Sequence, residues 1–571
     1  MSLGAQRSAV QMHLGIKIPL RDGINLNATL YLPKDHPAPS PAIFTLTPYI
    51  GQTYHDVGMS FASYGYPFLT VDVRGRGDSE GVFWPFLNEA KDGYDVVEWL
   101  AMQSYCDGQV TMWGGSYAGF AQWATAKEFP PHLATIVPVA SPHMGIDFPF
   151  RNNIAAPYLI QWLTLVSGRT SQDKMFWHNE QFWGATYREW FESGAPFREF
   201  DSQFGNPSPI FQEWVSHPHQ DTYWDTYNPT SEQYAKLSIP ILTITGIYDD
   251  DQAGALAHYR KHLESAPDSK RTRHFLVIGP WDHAGTRVPQ THFGGISVGA
   301  ASVIDLIQLH VQWYAWMMQS GPRPVFLKKP VSYYVMGAEK WRYADTLEAV
   351  TKRSEPLYLQ SIVNPTSVFT SGSLNLEPPG PSEPDCCVYN PRDVDHAELE
   401  STVDPENRVD QRMIHADIGG RLIYHSKPFL MDTEISGFFS LSVWLSIDQP
   451  DTDFCVAVYE IDLDASSVLL ATDIMRARYR ESLREPRLIR SHEPQCFEFG
   501  RFTFTSRLVK KGSRLRLTIG AINSIYSQKN YNRGGVVSDE SIEVARSVTI
   551  KLYHDDTHRS VLYVPFGQPE D

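Results

Sequence analysis

The chain has 571 residues, too many for one hydrophobic core, so its length alone predicts roughly two to four domains. It is 42% hydrophobic and 20% charged with a net charge of −16, and no stretch is rich enough in Lys and Arg to follow a phosphate backbone, which argues against nucleic acid or an anionic membrane surface as partner. Five cysteines without a CxxC pair exclude a disulfide framework and a zinc ribbon, and the absence of a long apolar run leaves no membrane span, so the expected setting is the cytoplasm, with a missing leader left open.

The first element alternates. Met12, Leu14, Ile16, Ile18 and Leu20 form one face, and Ile24, Leu26, Ala28, Leu30 and Leu32 repeat the pattern after Asp22-Gly23. Alternation around an Asp-Gly pair predicts a β-hairpin. Short apolar runs follow at 42–46, 68–73, 110–113 and 136–139. Helix-period segments lie between some of them, as in 89–102, where Tyr94, Val97 and Ala101 share a face. That style predicts crossover units and a largely parallel sheet. It returns at 239–245 and 275–278, with helices expected over 253–263 and 305–318.

The stretch 142–237 breaks the pattern. It holds Trp162, Phe176, Trp177, Phe182, Trp183, Trp190, Phe191, Trp214 and Trp224 in helix-compatible surroundings. It reads as a helical cap inserted above the strand ends, where such sheets bind ligands. Trp162, Trp177 and Trp183 are the candidate apolar walls of a substrate pocket. Beyond Pro322 and Pro324 the helical pattern nearly vanishes, and Phe439, Leu441, Val443, Leu445 and Ile447 alternate, as do Leu515, Leu517 and Ile519. The expected organisation is an α/β domain from 1–141 and 238–328, a cap over 142–237, and an all-β sandwich over 329–571.

The sharpest chemical feature is a predicted strand running into Gly114-Gly115-Ser116-Tyr117-Ala118-Gly119 and then a helix. A serine on such a strained turn stands clear of the sheet, beside backbone N–H groups that can receive an oxyanion. The strict G-x-S-x-G spacing fails, because Ala occupies 118 and the next Gly is 119. Chain order supplies a second test. An acid and a histidine should follow later strands, and Asp249 and His283 each follow one. His283 would take the Ser116 proton, and Asp249 would orient the imidazole. Asp249 could equally cap the following helix, and Asp250 and Asp251 compete for either role.

The motifs Gly-Gly-Ser-Tyr-Ala-Gly at 114–119, Gly-Ile-Tyr-Asp at 246–249 and Gly-Pro-Trp-Asp-His at 279–283 resemble the cocaine esterase / X-prolyl dipeptidyl peptidase (CocE/NonD) family of serine hydrolases. They are also similar to those of α-amino acid ester hydrolases and glutaryl-cephalosporin acylases. The family pattern G-x-S-Y-x-G puts Gly119 in register. Residues 71–81, 105–108 and 476–480 match further stretches, so the resemblance spans nearly the whole chain. It implies an α/β-hydrolase fold with an inserted helical cap and a C-terminal all-β jelly-roll, and no cofactor or metal. It also implies an oxyanion hole formed by the Tyr117 N–H and the Tyr49 hydroxyl. The residues alone would place Tyr49 in a core.

The expected reaction is hydrolysis of an ester, or of an amide, in a small-molecule substrate through an acyl-Ser116 intermediate. Amidase, β-lactam acylase and acyltransferase activities are the enzymatic alternatives, and a carbohydrate-binding module with a silent catalytic domain is the other class. Asp250 and Asp251 would attract a cationic amine, although solvation at a helix start explains them as well. The family's dipeptidyl peptidases carry a large N-terminal helical region that this chain lacks. Arg76-Gly77-Asp78 reads as a turn, and His217, His219 and Asp221 as a solvated loop. A homo-oligomer is left open.

Overall fold

A computed structural model describes residues 9–34, 38–177, 179–267 and 273–568. The predicted hairpin is β1 (Val10–Pro19) against β2 (Asn25–Pro33), paired antiparallel. Strand β2 is buried or half-buried along its length, whereas β1 reaches the core mainly near the turn. A register shift between His13 and Ile16 turns the strand, leaving Leu14 73% exposed while Ile18 is fully buried.

Next come β3 (Ser40–Thr47), β4 (Phe68–Asp72), β5 (Cys106–Met112), β6 (Gly114–Gly115), β7 (Leu133–Thr135) and β8 (Pro138–Val139). The run expected as one strand at 136–139 is thus split, with Ile136 bridging instead to Ile241. Helices α1 (His55–Ser63), α2 (Glu89–Ala101) and α3 (Tyr117–Ala126) connect these strands. After a short hairpin of β9 (Phe150–Arg151) and β10 (Ile154–Ala155), the sheet resumes with β11 (Ile241–Tyr248) and β12 (His274–Asp282).

The strands pair in two six-stranded sheets, β1-β2-β4-β3-β5-β7 and β6-β8-β11-β12 followed by Val331–Val335 and Lys340–Ala344, and Ile136, just after β7, bridges to Ile241 in the second. The pairs from β4 to β12 are parallel. Every residue of β3, β4 and β11 is buried, as expected for strands covered on both faces. Phe61, Trp113, Val277 and Trp313 pack on one side of this sheet, and Leu46, Val97, Met112 and Phe120 on the other. This is an α/β-hydrolase sheet, with a helical cap inserted between β8 and β11.

The cap includes α4 (Tyr158–Leu165) and the helix Glu180–Ser193. From Arg353 onward the chain is all-β, dominated by one large, mostly antiparallel sheet with its own core around Leu441, Val456, Leu517 and Ile550. This domain is tied to the catalytic sheet through main-chain atoms. The Gln252 carboxamide donates to Phe504 O at 3.2 Å and accepts from Phe504 N–H at 2.7 Å. The Tyr248 hydroxyl donates to Leu469 O at 2.7 Å. Among the described residues no helix is long and apolar enough to cross a membrane.

Candidate active site

Ser116 stands between β6 and α3 with φ 59° and ψ −124°. A positive φ is strained for a residue carrying a Cβ, and it persists only where the surroundings impose it. They do so here. The Ser116 N–H donates to Val139 O at 3.0 Å, and Ser116 O accepts from Gly119 N–H at 2.8 Å and Phe120 N–H at 3.0 Å. A Cβ at Gly119 would lie 2.5 Å from Val139 O, so only glycine lets helix and strand approach this closely. The Tyr117 side chain is anchored in the core, its hydroxyl donating to Glu89 and accepting from Phe86 N–H at 2.9 Å. That anchor fixes the first helical residue, whose N–H belongs to the unpaired amides of a helix start.

The acid and the histidine are brought together by sheet register. In the parallel pair of β11 and β12, Tyr248 lies opposite Asp282, so Asp249 and His283 leave the sheet side by side. His283 Nδ1 lies 2.7 Å from Asp249 Oδ1. Asp249 is further held by the Thr245 hydroxyl at 2.7 Å and by the Asp251 N–H at 3.1 Å. Burial by itself would raise this carboxyl, but the bonds from His283, Thr245 and Asp251 outweigh it and hold it below its ordinary range. The carboxylate is fully buried, whereas His283 remains partly open to solvent. Asp249 is not the cap of the following helix; Asp251 occupies that position, without a side-chain capping bond.

Tyr49 approaches Ser116 from the loop after β3. Its hydroxyl is in hydrogen-bonding reach of the Ser116 side chain and accepts from the Trp162 indole N–H at 3.1 Å. Burial pushes this phenol far above its usual range, so it is a neutral donor at neutral pH. The preceding carbonyl, Pro48 O, is held at 2.8 Å by Arg76 Nε. Arg76 is fully buried and also donates to Ser167 O and Thr170 O, tying the Tyr49 loop to the cap. The Arg-Gly-Asp turn therefore has a structural task that its sequence does not announce.

A family model described as X-Pro dipeptidyl-peptidase (S15 family) matches residues 22–285. A second, described as the X-Pro dipeptidyl-peptidase C-terminal non-catalytic domain, matches residues 326–562. The chain belongs to the S15 family of X-Pro dipeptidyl-peptidase-like hydrolases. Cocaine esterase of Rhodococcus sp. (strain MB1 Bresler) is 25% identical over 579 residues, covering 96% of this chain and 97% of that protein. A solved α-amino acid ester hydrolase has a TM-score of 0.82 at 20% identity, covering 99% of this chain and 98% of that one. An aminopeptidase from the marine sediment archaeon Thaumarchaeota archaeon has a TM-score of 0.82 at 18% identity, covering 98% and 96%. These two likenesses show the fold.

In this S15-family chain further charged groups gather around the Asp249–His283 pair. Asp250 is exposed, and Arg408, His283 and Arg151 are the cationic groups acting on it. Tyr158 is 43% exposed, yet its surroundings include Tyr49, Asp250 and Asp251. Glu406, from the all-β domain, is half exposed, pairs with Arg408 at 2.5 Å, and has Asp250 and Asp282 among its neighbours. Asp147 is pushed up to about 7 by burial, although it accepts from the His143 N–H at 2.9 Å and from the Gly254 N–H. Asp251 is raised well above its usual range by burial and by its neighbours Asp147, Asp249 and Asp250.

Sequence reasoning did not find Asp147, Tyr158, Glu406 or Arg408. For Asp147 the available signal was a lone carboxylate in the apolar stretch 143–150. The tryptophans singled out from sequence are placed differently from one another. Trp162 is 4% exposed and serves Tyr49. Trp183 is 2% exposed and packs inside the cap, donating to Met175 O at 2.9 Å. Trp177 ends the short helix Asp173–Trp177, and its side chain lies outside the described residues. His217 pairs with Asp221 at 2.7 Å and stacks on Tyr223.

Proposed function

We propose that this chain hydrolyses carboxylic esters through an acyl-Ser116 intermediate, with His283 as general base and acid and Asp249 as the orienting carboxylate. The observation that carries this reading is the 2.7 Å contact between His283 Nδ1 and Asp249, in a chain whose Ser116 is held at positive φ on a strand-to-helix turn. With Nδ1 engaged, Nε2 is the nitrogen left to accept the Ser116 proton. Oγ then bonds to the substrate carbonyl carbon, and the carbonyl electron pair moves onto oxygen. Tyr49 Oη and the Tyr117 N–H donate to that oxyanion. Collapse breaks the bond to the alcohol, which leaves with the proton from His283. A water molecule then gives its proton to His283, attacks the acyl carbon, and releases the acid as Ser116 recovers its hydrogen.

Cocaine esterase and α-amino acid ester hydrolase among the similar proteins support ester over amide as the bond cleaved. The boundaries we propose are 1–141 with 238–328 for the catalytic unit, 142–237 for the cap and 329–571 for the all-β unit, whose first two strands, Val331–Val335 and Lys340–Ala344, extend the catalytic sheet. The five cysteines are all free thiols, which supports a reducing, cytoplasmic setting.

Labelling with a fluorophosphonate probe, followed by mass spectrometry, tests the reading. Label on Ser116, absent in Ser116→Ala and weakened in His283→Ala, is the expected result. A folded protein that resists the probe would overturn it in favour of a silent binding module. Rates on matched ester and amide substrates, and product diverted by added alcohols, separate esterase from amidase and acyltransferase.

A second reading concerns the acyl group. Asp147, Asp250 and Asp251 surround the carboxylate that holds His283, which supports a cationic amine on the acyl side. A methyl ester of phenylglycine should then exceed the corresponding phenylacetate ester in kcat/KM, and Asp251→Asn should erase the difference. Equal rates on the two esters would sink it.

A further inference from the structure

Arg287 lies on the turn that carries His283. Gly285 N–H donates to Asp282 Oδ1 at 2.6 Å, and the Arg287 N–H donates to Ala284 O at 3.0 Å. From there the side chain runs back to the nucleophile turn. A Cβ placed on Gly115 would come within 2.8 Å of Arg287 Nη1 and 3.2 Å of its Cδ, so the guanidinium packs against the residue just before Ser116. Nη1 is buried and, among the described residues, has no hydrogen-bond partner.

A buried cationic N–H without a partner is costly, and native proteins keep few of them. Its charge is felt by Tyr49 and Tyr54, and by Asp251 from the start of the helix Gln252–Ser265. The Asp251 carboxyl is itself raised by burial and by three neighbouring aspartates, and so neutralises the guanidinium weakly. The result is a fixed positive charge beside the reacting serine and the hydroxyl proposed to receive the oxyanion.

We infer that Arg287 is a positioning residue for acyl transfer, whose charge strengthens the Tyr49 hydroxyl as a hydrogen-bond donor to the developing oxyanion. This rests on the acyl-Ser116 reading. A preorganised cation in a partly desolvated site stabilises charge that appears only in the transition state, so its loss falls on kcat rather than on KM. A guanidinium that merely filled space would act independently of Tyr49.

The experiment is a double-mutant cycle on the full chain, using a p-nitrophenyl ester, with Arg287→Met, Arg287→Lys, Tyr49→Phe and Tyr49→Phe/Arg287→Met. The expected result is a drop in kcat of about 10- to 100-fold for R287M, with KM changed less than about threefold, and partial recovery in R287K. In the Tyr49→Phe background R287M should cost less than about threefold. The inference is overturned if R287M keeps kcat within about threefold, or if its cost is the same in both backgrounds. Fluorophosphonate labelling of the unaltered protein keeps the two readings apart. Failure to label Ser116 would remove the acyl-enzyme itself, whereas normal labelling with an additive cycle would remove only the role of Arg287. Should R287M fail to fold, Arg287→Gln takes its place in the same cycle.

Discussion

The indole N–H of Trp162, in the cap, bonds at 3.1 Å to the hydroxyl of Tyr49, in the loop after β3. The cap thereby orients a group that reaches Ser116. Trp162→Phe keeps an aromatic ring against Phe86 and Trp214 while it removes the donor and part of the ring. We expect kcat to fall about tenfold, with little change in KM, because the freed hydroxyl can leave its productive direction. Steady-state kinetics check this, and an unchanged kcat would mean that Tyr49 holds its place unaided.

Asp249→Asn should be far more severe. The amide would keep the shape but present the wrong partner to His283 Nδ1, favouring the wrong tautomer. A loss of about 10⁴-fold in kcat is expected, with the fold intact by circular dichroism. A loss below about tenfold would point to Asp251, whose carboxylate lies 3.9 Å from His283 Nδ1, as the working acid.

Arg476 joins the cap to the all-β domain. It is 2% exposed, holds both oxygens of Asp453 at 2.8 and 2.9 Å, and donates to Asn153 O at 3.2 Å. Arg476→Met strands a buried carboxylate and should lower stability by about 3–5 kcal/mol in urea unfolding. Asp453→Asn in the same chain should recover part of that loss. If the single substitution costs less than about 1 kcal/mol, the pair does not hold the domains together.

Acid should weaken the fold through its buried histidines. Burial pushes His258 down to about 3 and His310 to about 4, and drives His143 and His274 well below their usual range. His258 is bonded as a neutral ring, between the Tyr234 hydroxyl at 2.7 Å and Pro142 O at 3.1 Å. The native values lie below the unfolded value of about 6.5, so the unfolded chain binds more protons as pH falls. Stability should be complete above about pH 6.5 and decline below it, by up to ~1.4 kcal/mol per pH unit for each histidine. Thermal midpoints at about pH 7.5 and about pH 5 test this, and a flat response would show that the rings are protonated without penalty.

Much of this site is written locally. Ser116 was legible because a strand, two glycines and a helix sit next to one another in sequence, and Asp249 and His283 because each follows an apolar run. Period-two and helix-period patterns report which face of an element is covered, and those patterns returned the sheet. They do not report which residues meet from distant parts of the chain. Glu406 and Arg408 come from the all-β domain, Asp147 and Tyr158 from the cap, and Arg287 from a turn without periodicity. Their convergence depends on long-range packing. The break in the run 136–139, where only Pro138–Val139 forms a strand and Ile136 bridges to Ile241, was hidden for a related reason, since an apolar run looks the same whether it pairs with one neighbour or changes partners midway. At the chain start, an alternating pattern concealed a bulge that turns Met12 and Leu14 outward.

The seam between Gln252 and Phe504 has an evolutionary corollary. Gln252 grips the amide and carbonyl of Phe504, and Tyr248 grips the carbonyl of Leu469, so at these two points the catalytic side reads backbone. Residue 469 can therefore drift in identity without loosening the loop that carries Asp249, whereas the fully buried Phe504 ring packs in one cluster with Ile247, Tyr248 and Leu256 and is held to its shape. A chimera that borrowed the all-β domain of a distant relative would be judged at this seam by strand geometry and by the apolar side chain at 504.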